Sequence, residues 1–346
     1  MKVSIGMRLQ PGAWGGGNRF GKALADFLEA RGHQVVFDLT ARDIDIILLA
    51  EPDRKLKISA FDHGDILRYL LFRNPSALVL HRINNTSEAR DDPEKRFNRF
   101  RILANRVADH TVFVSQWVRE RYREAGFGDR PCSIILNGGD HRLWHPSPVR
   151  EARGARMKLV THHWSTHPKK GMALYQRLDA LLSTSPWSEQ LEFTYVGPLP
   201  EGVRFQNSRH VPPLAGDRLA EELRGHDIYI TAASCEAGPN HVLEGALCGL
   251  PLLYVNSGSM AEYCAGFGLE FTPDTLAPTL ARMLADHERW TGQMASFPLT
   301  ADHMCQGYLE RFEALLTQRS GIVAARRFWR SLPWVARTLL HRDRRT

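Results

Sequence analysis

Two glutamates, Glu236 and Glu244, stand eight positions apart in Ser234-Cys-Glu-Ala-Gly-Pro-Asn-His-Val-Leu-Glu-Gly-Ala-Leu-Cys-Gly-Leu-Pro251, directly after the apolar run Ile228–Ala232. Carboxylates are natural acceptors for sugar and ribose hydroxyls. Pro239 suits the first position of a helix, where its missing N–H costs nothing. The amides of that first turn, at Asn240 and His241, then form an anion-binding helix N-terminus. A second segment, Thr161-His-His-Trp-Ser-Thr-His-Pro-Lys-Lys-Gly171, supplies Lys170 as a cation for leaving-group charge, with Lys169 as either a second cation or, more often at such a position, a solvated neighbour. His162, His163 and His167 lack a carboxylate or Cys to complete a metal-ligand set, so they read as loop histidines. Gly12-Ala-Trp-Gly-Gly-Gly-Asn-Arg-Phe-Gly21 lets backbone approach a phosphate or sugar, through Gly16 and Gly17 among others.

These segments need elements to hold them, and short β-rich runs alternate with helical patterns along the whole chain, as parallel sheets flanked by helices require. Strands are expected at Val3–Gly6, Gln34–Asp38, Asp45–Ala50, Ala77–His81, Thr111–Ser115 and Ser133–Leu136, then at Lys158–His162, Glu192–Gly197, Ile228–Ala232, Leu252–Asn256 and Glu270–Thr272. The stretch His145–Arg156, rich in Pro and charge with no apolar period, reads as a linker between two doubly wound α/β units. The expected division is an N-terminal domain over 1–148, a C-terminal domain over 149–300 and closing helices over 301–346. Ligands of open α/β sheets bind beyond the carboxyl ends of the strands, which is where the loops above fall. Asp43-Ile-Asp45 gives a D-x-D pair, but at the amino end of its strand, opposite the expected site; no metal is expected.

Composition narrows the class further. The net charge is +7, and residues 319–346 alone hold eight Arg and one Asp, so the remaining chain is balanced. A neutral body with a basic tail does not present a broad nucleic-acid groove. The five Cys are sparse, and none forms a C-x-x-C pair. No apolar run approaches the ~18 residues of a membrane span, and the N-terminal residues lack a signal-peptide core. The expectation is a cytoplasmic protein. On a helical wheel Ile322, Ala325, Phe328, Trp329 and Leu332 share one face and Arg319, Arg326, Arg327 and Arg330 another, before Pro333 interrupts. Such a tail can lie on an anionic membrane surface or pack back on the first domain.

The spacing of Glu236 and Glu244, with Glu-Gly-Ala-Leu-Cys-Gly-Leu-Pro251 and Ser257-Gly-Ser-Met-Ala-Glu262, resembles the signature of retaining glycosyltransferases of family 4, which have the GT-B fold of two Rossmann-like domains facing a central cleft. The resemblance implies that Glu236 contacts the donor sugar, Glu244 holds the nucleotide ribose and Lys170 clasps the diphosphate. Trp164 stands where the family carries an arginine, and Gly238 and Pro239 replace its aromatic residue and Gly. His81, in His81-Arg-Ile-Asn-Asn85, is similar to the family's strand-end histidine near the reacting sugar. Ala108–Val118 and the Leu136-Asn-Gly-Gly-Asp140 loop resemble the family more diffusely. The implied activity is retaining, metal-independent transfer from a nucleotide sugar, without a cofactor, to a glycan or lipid-linked acceptor in cell-surface polysaccharide or glycolipid synthesis. A non-catalytic sugar-nucleotide or glycan-binding module shares these features. A nicotinamide-dependent oxidoreductase fits less well, because Phe20 falls where the third Gly of G-x-G-x-x-G belongs.

Overall fold

A computed structural model describes residues 1–10, 16–147, 154–326 and 328–340. The expected Gly-rich loop at 12–15, the centre of the expected linker at 148–153, Arg327 and the terminal arginines 342, 344 and 345 lie outside the described residues. Two compact units result: Met1–Ile135 with Met304–Thr346, and Leu136–His303.

The first unit contains six parallel strands among the described residues, β1 Lys2–Ile5, β2 Gln34–Val36, β3 Ile46–Leu49, β4 Leu78–Ile83, β5 His110–Phe113 and β6 Cys132–Ile134, in the order β2-β1-β3-β4-β5-β6. Period-two alternation explains why β3 is apolar throughout: Ile46 and Leu48 face one layer and Ile47 and Leu49 the other. The first layer comes from helices Gly16–Glu29 and Ala301–Thr317, through Leu24, Leu28, Tyr308 and Phe312. The second comes from helix His63–Phe72, through Ile66, Leu67 and Leu70, together with Trp334 and Val335 of the tail. Asp62 caps that helix by accepting from the Gly64 and Asp65 amides.

The tail is thus part of the first unit. Arg319 pairs with Asp45, and Arg326 pairs with Asp109 while also donating to the Pro75 and Ala77 carbonyls. The wheel drawn from sequence does not survive as one helix. Helix Arg319–Ala325 stops, a single 3-10 turn follows at Phe328–Ser331, and helix Leu332–Leu340 begins. Pro333 lies in the first turn of that last helix and does not interrupt it, because no intrahelical N–H is needed there. The D-x-D pair is consumed by structure: Asp43 binds the Lys2 ammonium, and Asp45 accepts from the Lys2 amide and from Arg319.

The second unit has β7 Met157–His162, β8 Leu191–Val196, β9 Arg209–Val211, β10 Ile228–Thr231, β11 Leu252–Val255 and β12 Gly268–Phe271, all parallel, in the order β12-β11-β10-β7-β8-β9. Counted from β7, this is the 3-2-1-4-5-6 order of a dinucleotide-binding sheet, and the strand order reverses between β7 and β10. Helix Asn240–Leu247 packs on one face through Val242, Leu243 and Ala246, and helix Met172–Leu181 on the other through Leu174, Tyr175 and Leu178. The switch point places the loops after β7 and β10 side by side. Those loops carry Lys170 and Glu236.

Candidate active site

Close backbone approach fixes the two switch-point loops. The Ser234 amide donates to the Lys169 carbonyl at 2.8 Å. Gly171 has φ +81°, and a Cβ there would sit 2.4 Å from Ala232, so only glycine lets the Lys169–Gly171 turn press against the end of β10. Tyr175 completes the joint, since its hydroxyl accepts from the Ala232 amide at 2.9 Å and lies 2.8 Å from His163 Nε2. Burial pushes that phenol up to about 12, so it remains a neutral bridge.

Within this frame Lys170 Nζ meets Glu236 Oε1 at 2.6 Å, with the two side chains 27% and 18% exposed. The pair is open enough to meet a ligand. The backbone of Glu236 is held from the opposite side by the Ser257–Ser259 loop. Ser259 donates to the Glu236 carbonyl through its amide at 2.8 Å and its hydroxyl at 2.9 Å, and Ser257 Oγ accepts from the Cys235 amide. Gly258, at φ +69°, forms a parallel bridge with Glu236, and a Cβ on it would lie 2.4 Å from the Glu236 carbonyl oxygen. The Ser-Gly-Ser sequence therefore aims a carboxylate. Cys235 takes up the strain of this turn at φ +54°.

Helix Asn240–Leu247 starts directly after Pro239, which lies just outside it at φ −77°. Pro239 makes no side-chain cap bond to the helix's first amides, and Asn137 Nδ2 donates to Asn240 Oδ1 at 3.4 Å. Next to it, His241 sits in the first turn, 3.0 Å from Thr231 Oγ1. Burial first, then His163, Lys170 and His162, hold the His241 imidazole well below its usual value. His163 is lowered in the same way, by burial, Lys170 and His162. Both are neutral at physiological pH, so neither adds a positive charge beside the Lys170–Glu236 pair.

Glu244 occupies a different setting from Glu236. It is 2% exposed, and its Oε2 lies 2.8 Å from His162 Nε2, while the Tyr229 hydroxyl lies 3.1 Å from His162 Nδ1. His162 therefore bridges Glu244 and Tyr229 through its two ring nitrogens. Gly245 is required by the same contact, because a Cβ there would sit 2.5 Å from the Tyr229 ring. The sequence alone does not show this pairing, since His162 and Glu244 are 82 positions apart. Trp164 projects from the loop after β7 and is 51% exposed.

The first-unit candidates lie elsewhere in the chain's architecture. Gly16 and Gly17 form the first turn of helix Gly16–Glu29. His81 does not end its strand: β4 continues through Arg82 to Ile83, and His81 is fully buried within it. Asn105 Nδ2 donates to His81 Nδ1 at 3.0 Å, so the proton sits on Nε2, which has no partner among the described residues. Burial first, then Arg101, His63 and Arg130, bring this imidazole down to about 3. A buried neutral histidine with a lowered folded pKa leaves the unfolded chain binding the extra proton. Stability is therefore full above about pH 7 and falls as the pH drops from ~6.5 toward 3. His81 is expected to contribute about 2 kcal/mol to the loss between pH 8 and pH 5. Urea midpoints of the His81→Asn variant at the two pH values should show that share removed, and an unchanged pH dependence would contradict the assignment.

Known structures share this two-sheet fold. The chain matches a sucrose-phosphate synthase from Thermosynechococcus elongatus with a TM-score of 0.63 at 13% identity, covering 91% of this chain and 99% of that one. It matches Anabaena HepE in complex with UDP and glucose with a TM-score of 0.62 at 15% identity, over 91% and 99%. AviGT4, a glycosyltransferase involved in avilamycin A biosynthesis, matches with a TM-score of 0.56 at 17% identity, over 91% and 98%. The fold is GT-B. The Lys170–Glu236 pair lies at the strand-order reversal of the second unit's sheet. No protein-family model and no curated protein sequence matches the chain.

Proposed function

We propose that the protein is a retaining glycosyltransferase that moves a sugar from a nucleoside-diphosphate donor to a glycan or lipid-linked acceptor. The observation that carries this reading is the 2.6 Å Lys170–Glu236 pair at the switch point of the second sheet, aimed by the Ser257–Ser259 loop. HepE has the same fold and was solved with UDP and with UDP-glucose, the ligand class this reading requires.

The chemistry follows from charge. As the donor's anomeric C–O bond breaks, negative charge develops on the departing diphosphate, and Lys170 with the Asn240 and His241 amides stabilises it. Glu236 accepts hydroxyls of the donor sugar and so fixes the anomeric carbon. The acceptor hydroxyl attacks on the face the diphosphate leaves, its proton passing to the departing oxygen, which retains configuration without a covalent enzyme intermediate. Glu244, which the family resemblance would place at the ribose, is 2% exposed and engaged by His162, so in this reading it supports the second sheet from within and the ribose is left to groups at the helix start. Trp164 offers an aromatic face to the donor in place of a second cation. His81 serves in this reading as a buried support of the first sheet, because no surface of it meets solvent.

Titration calorimetry with a panel of nucleotide sugars and with the free nucleoside diphosphates tests the donor site. Binding of a nucleoside diphosphate that weakens by tenfold or more in Lys170→Ala is the expected outcome. Absence of binding across the panel removes the donor assignment.

A further inference from the structure

We propose that helix Leu332–Leu340 is an interfacial docking element that lays its outward face into an anionic lipid surface. Its two faces are sorted without ambiguity. Trp334 and Val335 are buried in the first unit, while Leu332, Pro333, Ala336, Arg337 and Leu340 are exposed. At ~100° per residue those five fall within one arc of about 140°, and four of them are apolar. Leu332 and Leu340 are 59% and 76% exposed, the level of a surface residue although both are large and apolar. The helix is held rigidly enough to present that stripe: Arg68 donates to the Leu339 carbonyl, and the Arg106 guanidinium lies 5.1 Å from the Trp334 ring centroid. The partner helix His63–Phe72 ends in Phe72, itself 74% exposed.

Charge selects the occupant. The whole +7 of the chain resides in residues 319–346; Arg337 lies on the outward face, and Arg342, Arg344 and Arg345 follow the helix in sequence. Arg319 and Arg326 are neutralised by Asp45 and Asp109, but the remaining tail is still basic; lipid headgroups of negative charge complement it, whereas a second copy of the chain would bring two basic tails together across a self-complementary interface. Nine residues rise only ~14 Å, about half a bilayer core, and no described helix is long and apolar enough to cross a membrane. The helix therefore lies in the interface, with Leu332, Ala336 and Leu340 toward acyl chains and Arg337 at the headgroups. This differs from the surface that the sequence suggests, because Ile322 and Val323 pack against the first unit's core and Arg326 is committed to Asp109.

Co-sedimentation of the full chain with phosphatidylcholine vesicles, with and without phosphatidylglycerol, tests the proposal. The protein should pellet with the anionic vesicles and not the neutral ones, and less so as salt is raised. Leu332→Glu/Leu340→Glu should weaken pelleting by about tenfold or more while keeping the thermal midpoint and nucleotide-sugar turnover of the parent. Lys170→Ala should pellet like the parent, which separates this result from the fate of the donor-site reading. Parent protein that stays in the supernatant with anionic vesicles overturns the proposal, as does a double variant that pellets undiminished. A dimer in light scattering that the double variant dissolves, without vesicle binding, assigns the face to a second copy instead.

Discussion

Replacing Lys170 with alanine is expected to lower kcat for sugar transfer by about 10²–10³-fold, the cost of losing one donor aimed at developing negative charge. The fold should stand. Lys170 is partly exposed and meets one carboxylate, so its loss from the native state costs about 1 kcal/mol or less. The rival explanation is that Lys170 and Glu236 are a structural ion pair that happens to lie at the strand reversal. That explanation predicts a different pattern, in which Lys170→Ala lowers the urea midpoint and a compensating Lys170→Ala/Glu236→Ala double variant regains full activity. In the catalytic account the double variant remains inactive, because no other group replaces the cation at the diphosphate.

Glu236→Gln carries the second large expected effect. The glutamine keeps the shape of the side chain and the backbone contacts to Ser259 and Gly258, which involve the main chain of residue 236. It removes the charge that draws sugar hydroxyls and that sets the Lys170 ammonium. Turnover should fall by about 100-fold while donor affinity changes by only a few-fold, since the proposed reading assigns the diphosphate to Lys170 and the helix amides rather than to Glu236. Steady-state kinetics resolves the two terms. A rise in KM with kcat unchanged would place Glu236 in uniform donor binding and take it out of the transition state.

How much of this can be read from residues alone depends on how local each feature is. The parallel sheets are legible because strands covered on both faces, such as Ile46–Leu49 and Ile228–Thr231, are short unbroken apolar runs. Strand β9, Arg209–Val211, is not, because an edge strand of three residues with Arg and His in it lacks both run and alternation. The extension of β4 past His81 is hidden for a related reason. Arg82 looks like the start of a loop, yet it is 4% exposed, with its guanidinium 3.9 Å from the Phe20 ring centroid. That single misreading makes a strand-interior histidine look like a strand-end one.

The site divides in the same way. Glu236, Lys170 and the start of helix Asn240–Leu247 are legible because each follows its strand directly, and the parallel topology brings strand ends together. The roles of Ser257 and Gly258 are visible only in three dimensions, where Gly258 reaches across to Glu236. The partner of Glu244 is likewise a tertiary fact. Its carboxylate meets His162 of β7, which Tyr229 of β10 holds in turn, and pairing between segments far apart in sequence registers those two strands.

The central claim, sugar transfer with retention at the Lys170–Glu236 pair, is tested most directly by following the anomeric proton. Purified protein, a nucleotide sugar that binds, and a glycan or lipid-linked acceptor can be watched by proton NMR as nucleoside diphosphate is released. The account predicts that an α-configured donor gives an α-linked product and that Lys170→Ala gives none on the same timescale. A β-linked product, or tight donor binding with no release of nucleoside diphosphate from any donor and acceptor pair, would contradict it.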